Sequence, residues 1–401
     1  MGAKPSIDVA ERRARLARRH HLLPTARATT AVDVARDMVA LHATDPATVY
    51  LSMFARANVE AADIEQALYE DKSLMRMLGM RRTMFVVPID FAPVVQAACT
   101  RAIAAQERRR TVQIFGQAGI GGDIGAWLRV LEEQTVDALD KRVRATAQQL
   151  ADDIPELKQQ VRIASEKSYA GAMGVSSRIL FQLSADGRIV RGRPRGSWIS
   201  GQYHWSPMTA WLPGGLAEIA APAAQTELIR AWLRTFGPGT LADLKWWTGL
   251  ALGDVRRALQ ELPAVEVSLN LGEASGWVLA DDLESADAAA GELSSSPWVS
   301  LLPALDPTPR GYIDRAGYLG SYAPAIFDRT GNIGPSVWCD GRIVGGWAQR
   351  KNGTIAYKLL EDVGTAAEQA VESAAHDLGC RLGEVRVTPR FRTPLERELS
   401  T

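Results

Sequence analysis

Apolar positions along the chain fall into three stretches with one grammar: short helices with turn signals, then two strand-like runs. In the first, Val34, Met38 and Leu41 are spaced for one helical face, which predicts a helix from Ala31 to Thr44. Pro46 lies just beyond, where proline can open a new helix, and Leu51 and Phe54 continue the apolar face. A third helix is expected around residues 61–69. Residues 74–88 (LMRMLGMRRTMFVVP) then read as a hairpin, strand-forming runs flanking a turn at Arg81 and Arg82.

Helical stretches over 91–110 and 124–139 follow, separated by the Gly-rich run 116–122. That run lacks the Lys-Ser/Thr of a phosphate loop and does not follow a strand, which argues against a nucleotide site. The second stretch starts near Thr146 and includes an amphipathic segment over 174–183. Asp186-Gly187 carries the signature of a two-residue hairpin turn between Leu183 and Ile189-Val190. The third runs through 226–236, a Gly-Pro-Gly turn, 241–247 and 254–262 to a hairpin of 265–271 with 276–279. Residues 284–296 are small and polar, as in a linker. Beyond them come a strand at 299–302, a hairpin turn at Asp340-Gly341, a helix over 364–378 and a last strand at Val385–Val387. The predicted fold is mainly α with β wings (α+β): three tandem winged-helix units over 1–110, 111–215 and 216–284, and a C-terminal α/β cap over 297–401.

Charge sharpens this picture. The chain has 46 basic and 46 acidic side chains, which taken alone discourages a polyanion partner. The average conceals a polarity: 17 basic against 12 acidic in residues 1–120, 11 against 5 in 141–212, and 5 against 12 in 213–296. The first half attracts a polyanion and the third stretch repels it, which suits the latter to a scaffold. Arg188, Arg191, Arg193 and Arg195, next to Trp198, Tyr203, His204 and Trp205, form a basic wing suited to phosphates; a solvated surface hairpin is the plainer reading. Asp306 and the pair Asp328-Arg329 read as surface turns or as an ion pair bracing the cap. His20-His21 has no acidic or cysteine neighbour in sequence to share a metal. The scattered Cys99, Cys339 and Cys380 argue against disulfides and against a zinc site. No apolar run approaches a membrane span, and no signal-peptide pattern is seen.

The motifs Arg81-Arg82-Thr83-Met84-Phe85-Val86-Val87 with Asp90, Leu301-Leu302-Pro303-Ala304-Leu305-Asp306-Pro307, Phe327-Asp328-Arg329 and the run from Val337 to Trp347 together resemble the AlkZ/YcaQ family of winged-helix DNA glycosylases. The resemblance spans roughly residues 30–400. It implies three winged helices gripping double-stranded DNA, hydrolysis of the N-glycosidic bond of alkylated (N7-purine) or crosslinked nucleotides, and no cofactor. It also implies a cytoplasmic, nucleoid-associated monomer. The family's catalytic motif is glutamine, an apolar residue, then glutamine or aspartate, at the end of an early helix. The matching positions are His42, Ala43 and Thr44, with Asp45 next, so neither glutamine is present.

Those residue types suit hydrolysis by a different polar set. Asp45 can supply negative potential beside an oxocarbenium-like sugar, Thr44 can orient water, and a neutral His42 can accept its proton. Thr44-Asp45-Pro46 is equally a good helix start, with Asp45 or Thr44 as N-cap, and His42 near a helix end can simply favour the dipole. The sequence therefore leaves two further readings open: a non-catalytic DNA-binding protein (a regulator or lesion binder), or, from the acidic third unit, a protein scaffold. DNA contacts are expected from Arg81, Arg82, Arg188, Arg191, Arg193 and Arg195.

Overall fold

The fold is that of a computed structural model describing residues 4–162, 172–269, 274–284 and 297–401. It is mixed α and β, with small sheets set among helices. After an N-terminal helix α1 (Val9–Arg19), α2 (Ala31–Asp37) opens on a reciprocal cap between Thr30 and Asp33. It ends seven residues short of the expected Thr44. Met38 closes the last turn, Val39 takes a left-handed φ of 62°, and the chain straightens into strand β2 (Leu41–His42). The physical reason is long-range pairing: Leu41 and His42 lie opposite Val86 and Phe85, joining a sheet ordered β2-β4-β3. Helix α3 (Pro46–Phe54) then starts at Pro46 with Asp45 as N-cap, as its sequence predicts. Helix α4 (Ala61–Glu65), continued by a wide turn over Gln66–Glu70, leads to the hairpin β3 (Leu74–Gly79) and β4 (Thr83–Pro88). Arg81 and Arg82 form its turn, both with positive φ.

A long helical run, α5 (Ala92–Val95) through α6 (Arg101–Gln117), crosses the expected boundary at residue 110. The second unit is α7 (Ile124–Arg142), α8 (Ala147–Asp153), a small hairpin β5 (Gln160–Arg162) and β6 (Ala172–Gly174), α9 (Val175–Ala185), then β7 (Ile189–Pro194) and β8 (Tyr203–Pro207). Asp186-Gly187 is not a hairpin turn. Leu183 belongs to α9, and Gly187, at φ 72°, ends that helix and turns the chain into β7. The wing is β7 with β8, and Arg195 lies in the loop between them.

Helix α10 (Met208–Trp211) precedes the third unit: α11 (Ala221–Phe236), α12 (Leu241–Thr248), α13 (Leu252–Glu261) and the hairpin β9 (Ala264–Leu269) with β10 (Ala274–Leu279). Strand β1 (Ser6–Ile7) pairs in parallel with β9, so the N-terminus is stitched to this unit rather than the first. Residues 270–271 of the expected hairpin, and nearly all of the expected linker 284–296, lie outside the described residues.

The three units repeat one device. The stretch after the first helix meets the second wing strand: His42 with Phe85, Ala145 with Trp205, and Gly239 with Trp277. In the second and third units an N-cap threonine follows at once, Thr146 or Thr240. In the first, Ala43 and Thr44 intervene before Asp45. Gly239 permits the third contact, because a Cβ there would lie 2.1 Å from the Trp232 ring.

The C-terminal sheet is antiparallel, β11 (Val299–Leu302), β12 (Ser336–Cys339), β13 (Arg342–Gln349) and β14 (Ile355–Leu359), covered by the helix Thr365–Leu382. Asp340-Gly341 does turn β12 into β13, with positive φ at both residues. Val385–Val387 is not a strand: the Gln349 side chain takes the Val387 N–H (2.7 Å) and donates to the Val385 carbonyl (3.0 Å), replacing a ladder.

Units one and three share a continuous apolar core with the C-terminal sheet, whereas most of unit two packs round a core of its own, including Leu128, Leu150, Ile179 and Trp205. Through the shared core runs a buried polar chain. Arg56, beyond α3, grips both oxygens of Asp306 at 2.7 and 2.8 Å, each residue fully buried. Ser52 Oγ donates to the same carboxylate, and Arg56 also reaches Thr308 Oγ1. His20 bonds Thr308 and the Thr235 carbonyl, and Thr235 Oγ1 donates to the Asp37 carbonyl. Asp306 is thus the bracing ion pair of the two sequence alternatives, and Asp328 is the surface turn, its oxygens held by Thr330 and Asn332.

Removing one partner of such a pair strands a buried charge. Asp306→Ala is expected to cost about 3–5 kcal/mol in denaturant unfolding. A loss under about 1 kcal/mol would show that the pair does not hold the units together.

Candidate functional site

The segment His42–Asp45 lies where β2 runs into α3. Ala43 N–H donates to the Met84 carbonyl (2.8 Å), and Arg76 Nη2 donates to the Ala43 carbonyl (2.5 Å), so the segment is pinned to the first hairpin from both sides. His42 is buried, its ring edge-on to Phe85 at 5.8 Å between centroids. Its Nδ1 lies 3.5 Å from the Thr44 amide, too long for a strong bond. Burial, and then the guanidiniums of Arg310, Arg81 and Arg76, hold the imidazole well below its ordinary range, so it is neutral at pH 7. Thr44 alone of the four keeps part of its surface in solvent. The Asp45 carboxylate is buried and doubly held: Oδ1 accepts from Ala47 N (3.2 Å), capping α3, and Oδ2 accepts from Arg390 N (2.9 Å). The cavity beside Asp45, lined by Thr48, Ala304 and Gln349 among others, measures about 10 Å³, far too small for a base.

A neutral imidazole, a partly exposed threonine and a fixed buried carboxylate therefore share four consecutive residues. The family model for DNA glycosylase AlkZ-like proteins matches residues 35–380. The chain belongs to the AlkZ-like DNA glycosylase family. Among solved structures, Streptomyces sahachiroi DNA glycosylase AlkZ superposes with a TM-score of 0.71 at 19% identity, covering 96% of this chain and 99% of that one. No curated protein matches. Membership makes this chain a monofunctional DNA glycosylase, a DNA-binding hydrolase. Among the described residues there is no cluster of three or more potential metal ligands, and no helix is long and apolar enough to cross a membrane.

For an AlkZ-like protein the expected DNA arginines are unevenly disposed. Arg188 is engaged by Glu133, Arg193 by Glu65 and Glu70, and Arg82 by Glu107. Arg191 is laid over Tyr203 (4.6 Å) and Trp205 (5.2 Å) with no carboxylate partner among the described residues, and Arg81 is laid over Trp246 (4.1 Å) in the same way. Arg195, at the wing tip, is exposed. His204 faces the Arg193 carbonyl at 3.4 Å, and Trp198 stacks on Tyr50. His21, unpartnered in sequence, meets Asp37 at 2.8 Å in space.

Sequence reasoning missed Arg76 and Arg310. Arg76 had a legible signal, a cation inside the apolar strand Leu74-Met75-Arg76-Met77-Leu78. Arg310 had none, because its placement depends on the Asp306 anchor just before it.

His20 and His42 are both neutral in the fold; burial is the main cause for each, with Arg56 the next cause at His20. In the unfolded chain each titrates near 6.5, so below that pH the unfolded state binds more protons. Stability is therefore complete above about pH 6.5 and falls as pH drops, by up to about 1.4 kcal/mol per pH unit for each histidine. Urea unfolding between pH 7.5 and 5.5 checks this: wild type should lose stability and His42→Gln should lose less. A flat wild-type profile would contradict it.

Proposed function

We propose that this chain excises N7-alkylated purines, including those tethered in crosslinks, from duplex DNA, with His42, Thr44 and Asp45 as its hydrolytic centre. One coincidence carries the reading. At the position matching the family's catalytic residues, a partly exposed threonine follows a neutral imidazole and directly precedes a fixed carboxylate along the chain. An N7-alkylated purine already bears positive charge. The C1′–N9 bond breaks with its electron pair passing to the base, which leaves neutral and needs no general acid. Thr44 orients the water that adds to C1′, and His42, a weak base in this setting, accepts the proton released and passes it on to solvent. Asp45 contributes negative potential beside the cationic sugar, and its two backbone bonds fix the charge in place. A carboxylate has about four lone-pair sites, so capping α3 leaves that role open. The protein acts as a monomer in the cytoplasm, its three helix-and-wing units and the C-terminal region 297–401 arranged round the duplex. Arg195 meets phosphate from the second wing.

Single-turnover excision from a duplex carrying N7-methylguanine, scored as abasic sites, tests this. Asparagine can cap α3 as aspartate does, but its NH2 would face the Arg390 N–H, so Asp45→Asn should lose about 1–3 kcal/mol of stability; excision by the folded variant should fall about 10²-fold. His42→Gln should lose a similar factor. If wild type releases no more base than the His42→Gln/Asp45→Asn double variant, these residues are not the hydrolytic centre for this lesion, and Asp45 serves only to cap α3.

A further inference from the structure

Most half-buried arginines here are matched to carboxylates: Arg108 to Glu132 and Asp186, Arg178 to Glu107, Arg392 to Glu396. Four are not: Arg76, Arg81 and Arg310, which surround His42, and Arg191 next to Arg76. Arg191, Arg76, Arg81 and Arg310 have no carboxylate within 4 Å among the described residues, and each keeps part of its surface in solvent. Their placement is fixed by other means. Arg191 lies on Tyr203 and Trp205, Arg76 is tied to the Ala43 carbonyl, and Arg81 shares the Trp246 ring with Arg315, at 4.1 and 5.5 Å. Arg315 in turn donates to the Pro309 carbonyl, beside Arg310. The Nε atoms of Arg76, Arg81 and Arg191 are buried without a hydrogen-bond partner.

The four follow one another: β7, which carries Arg191, packs against β3, which carries Arg76; β3 leads into the Arg81 turn; and Arg81 is joined through the Trp246 ring and Arg315 to the Pro309 carbonyl beside Arg310. Arg76 also weighs against the charge of Arg191, and Arg76, Arg81 and Arg310 against protonation of His42. Like charges held together at half-buried positions are unfavourable without an anion. The acids in range are committed elsewhere, Asp45 to backbone amides and Asp328 to its own turn. A guanidinium fork suits phosphate, and a row suits successive phosphates of one strand.

We propose that Arg191, Arg76, Arg81 and Arg310 form a phosphodiester track that seats the damaged strand on both sides of the His42–Asp45 segment. The track runs from the second wing, across the first hairpin, to the C-terminal region, with the candidate centre in its middle. It rests on the glycosylase reading only for which strand it holds. Seated phosphates neutralise the four cations, which otherwise work against the positive charge that develops on the sugar.

The test is the salt dependence of binding to an undamaged duplex, followed by fluorescence anisotropy between 50 and 200 mM salt. Arg310→Gln and Arg191→Gln should each lower the slope of log K against log [salt] by about 0.9, a loss of about five-fold near 0.15 M. Arg310→Lys should keep the slope, which separates lost charge from lost packing. Arg230→Gln, which breaks a remote pair with Glu227, is the control and should change nothing. A single methylphosphonate beside the lesion should weaken wild type and leave Arg310→Gln unaffected. Unchanged slopes in folded variants, with excision intact, would overturn the track and spare the function. Lowered slopes in a protein that excises nothing would do the reverse.

Discussion

The molecule is organised by one fully buried ion pair, Arg56 with Asp306. Its partners come from the end of the first unit and the start of the C-terminal region, and its hydrogen bonds extend through Thr308 and His20 to Thr235 and Asp37. A buried charge without its partner is costly enough that alternative dockings of these parts are disfavoured. The pair thereby fixes where the Thr308–Arg310 turn lies, and through it the guanidinium nearest His42 in electrostatic effect. The electrostatics of the candidate centre are set at a distance, by a contact that touches no substrate.

What was legible in the sequence was what local chemistry decides. Asp45-Pro46 started α3, the run 74–88 folded into its hairpin, and Asp340-Gly341 made its turn. What was not legible depended on partners far along the chain. Val34, Met38 and Leu41 keep helical spacing, yet pairing with β4 pulls Leu41 and His42 into a strand. Asp186-Gly187 has hairpin chemistry, yet α9 runs up to it and uses the glycine to stop.

The wing arginines show the same limit in electrostatic form. Four in eight residues read as a single basic surface. In the fold Arg188 and Arg193 are neutralised by glutamates 55 to 128 residues away, Arg191 is folded onto aromatic rings, and Arg195 alone stays exposed. A local count of charge measures supply, and only tertiary structure shows which charges remain available to a ligand. The centre itself was located through family resemblance; its setting, a bend pinned by Met84 and Arg76, was not in the pattern.

The two residues that separate strand pairing from helix cap in the first unit have a consequence for substitution. In the sister units that spacing is absent, so the scaffold closes without it. Ala43 is held there through its backbone, its N–H donating to the Met84 carbonyl and its carbonyl accepting from Arg76, and no side-chain bond of Thr44 is among those that fix the bend. Residue identity at Thr44 is therefore uncoupled from folding. Substitution at Thr44 is expected to leave the frame of the candidate centre unchanged.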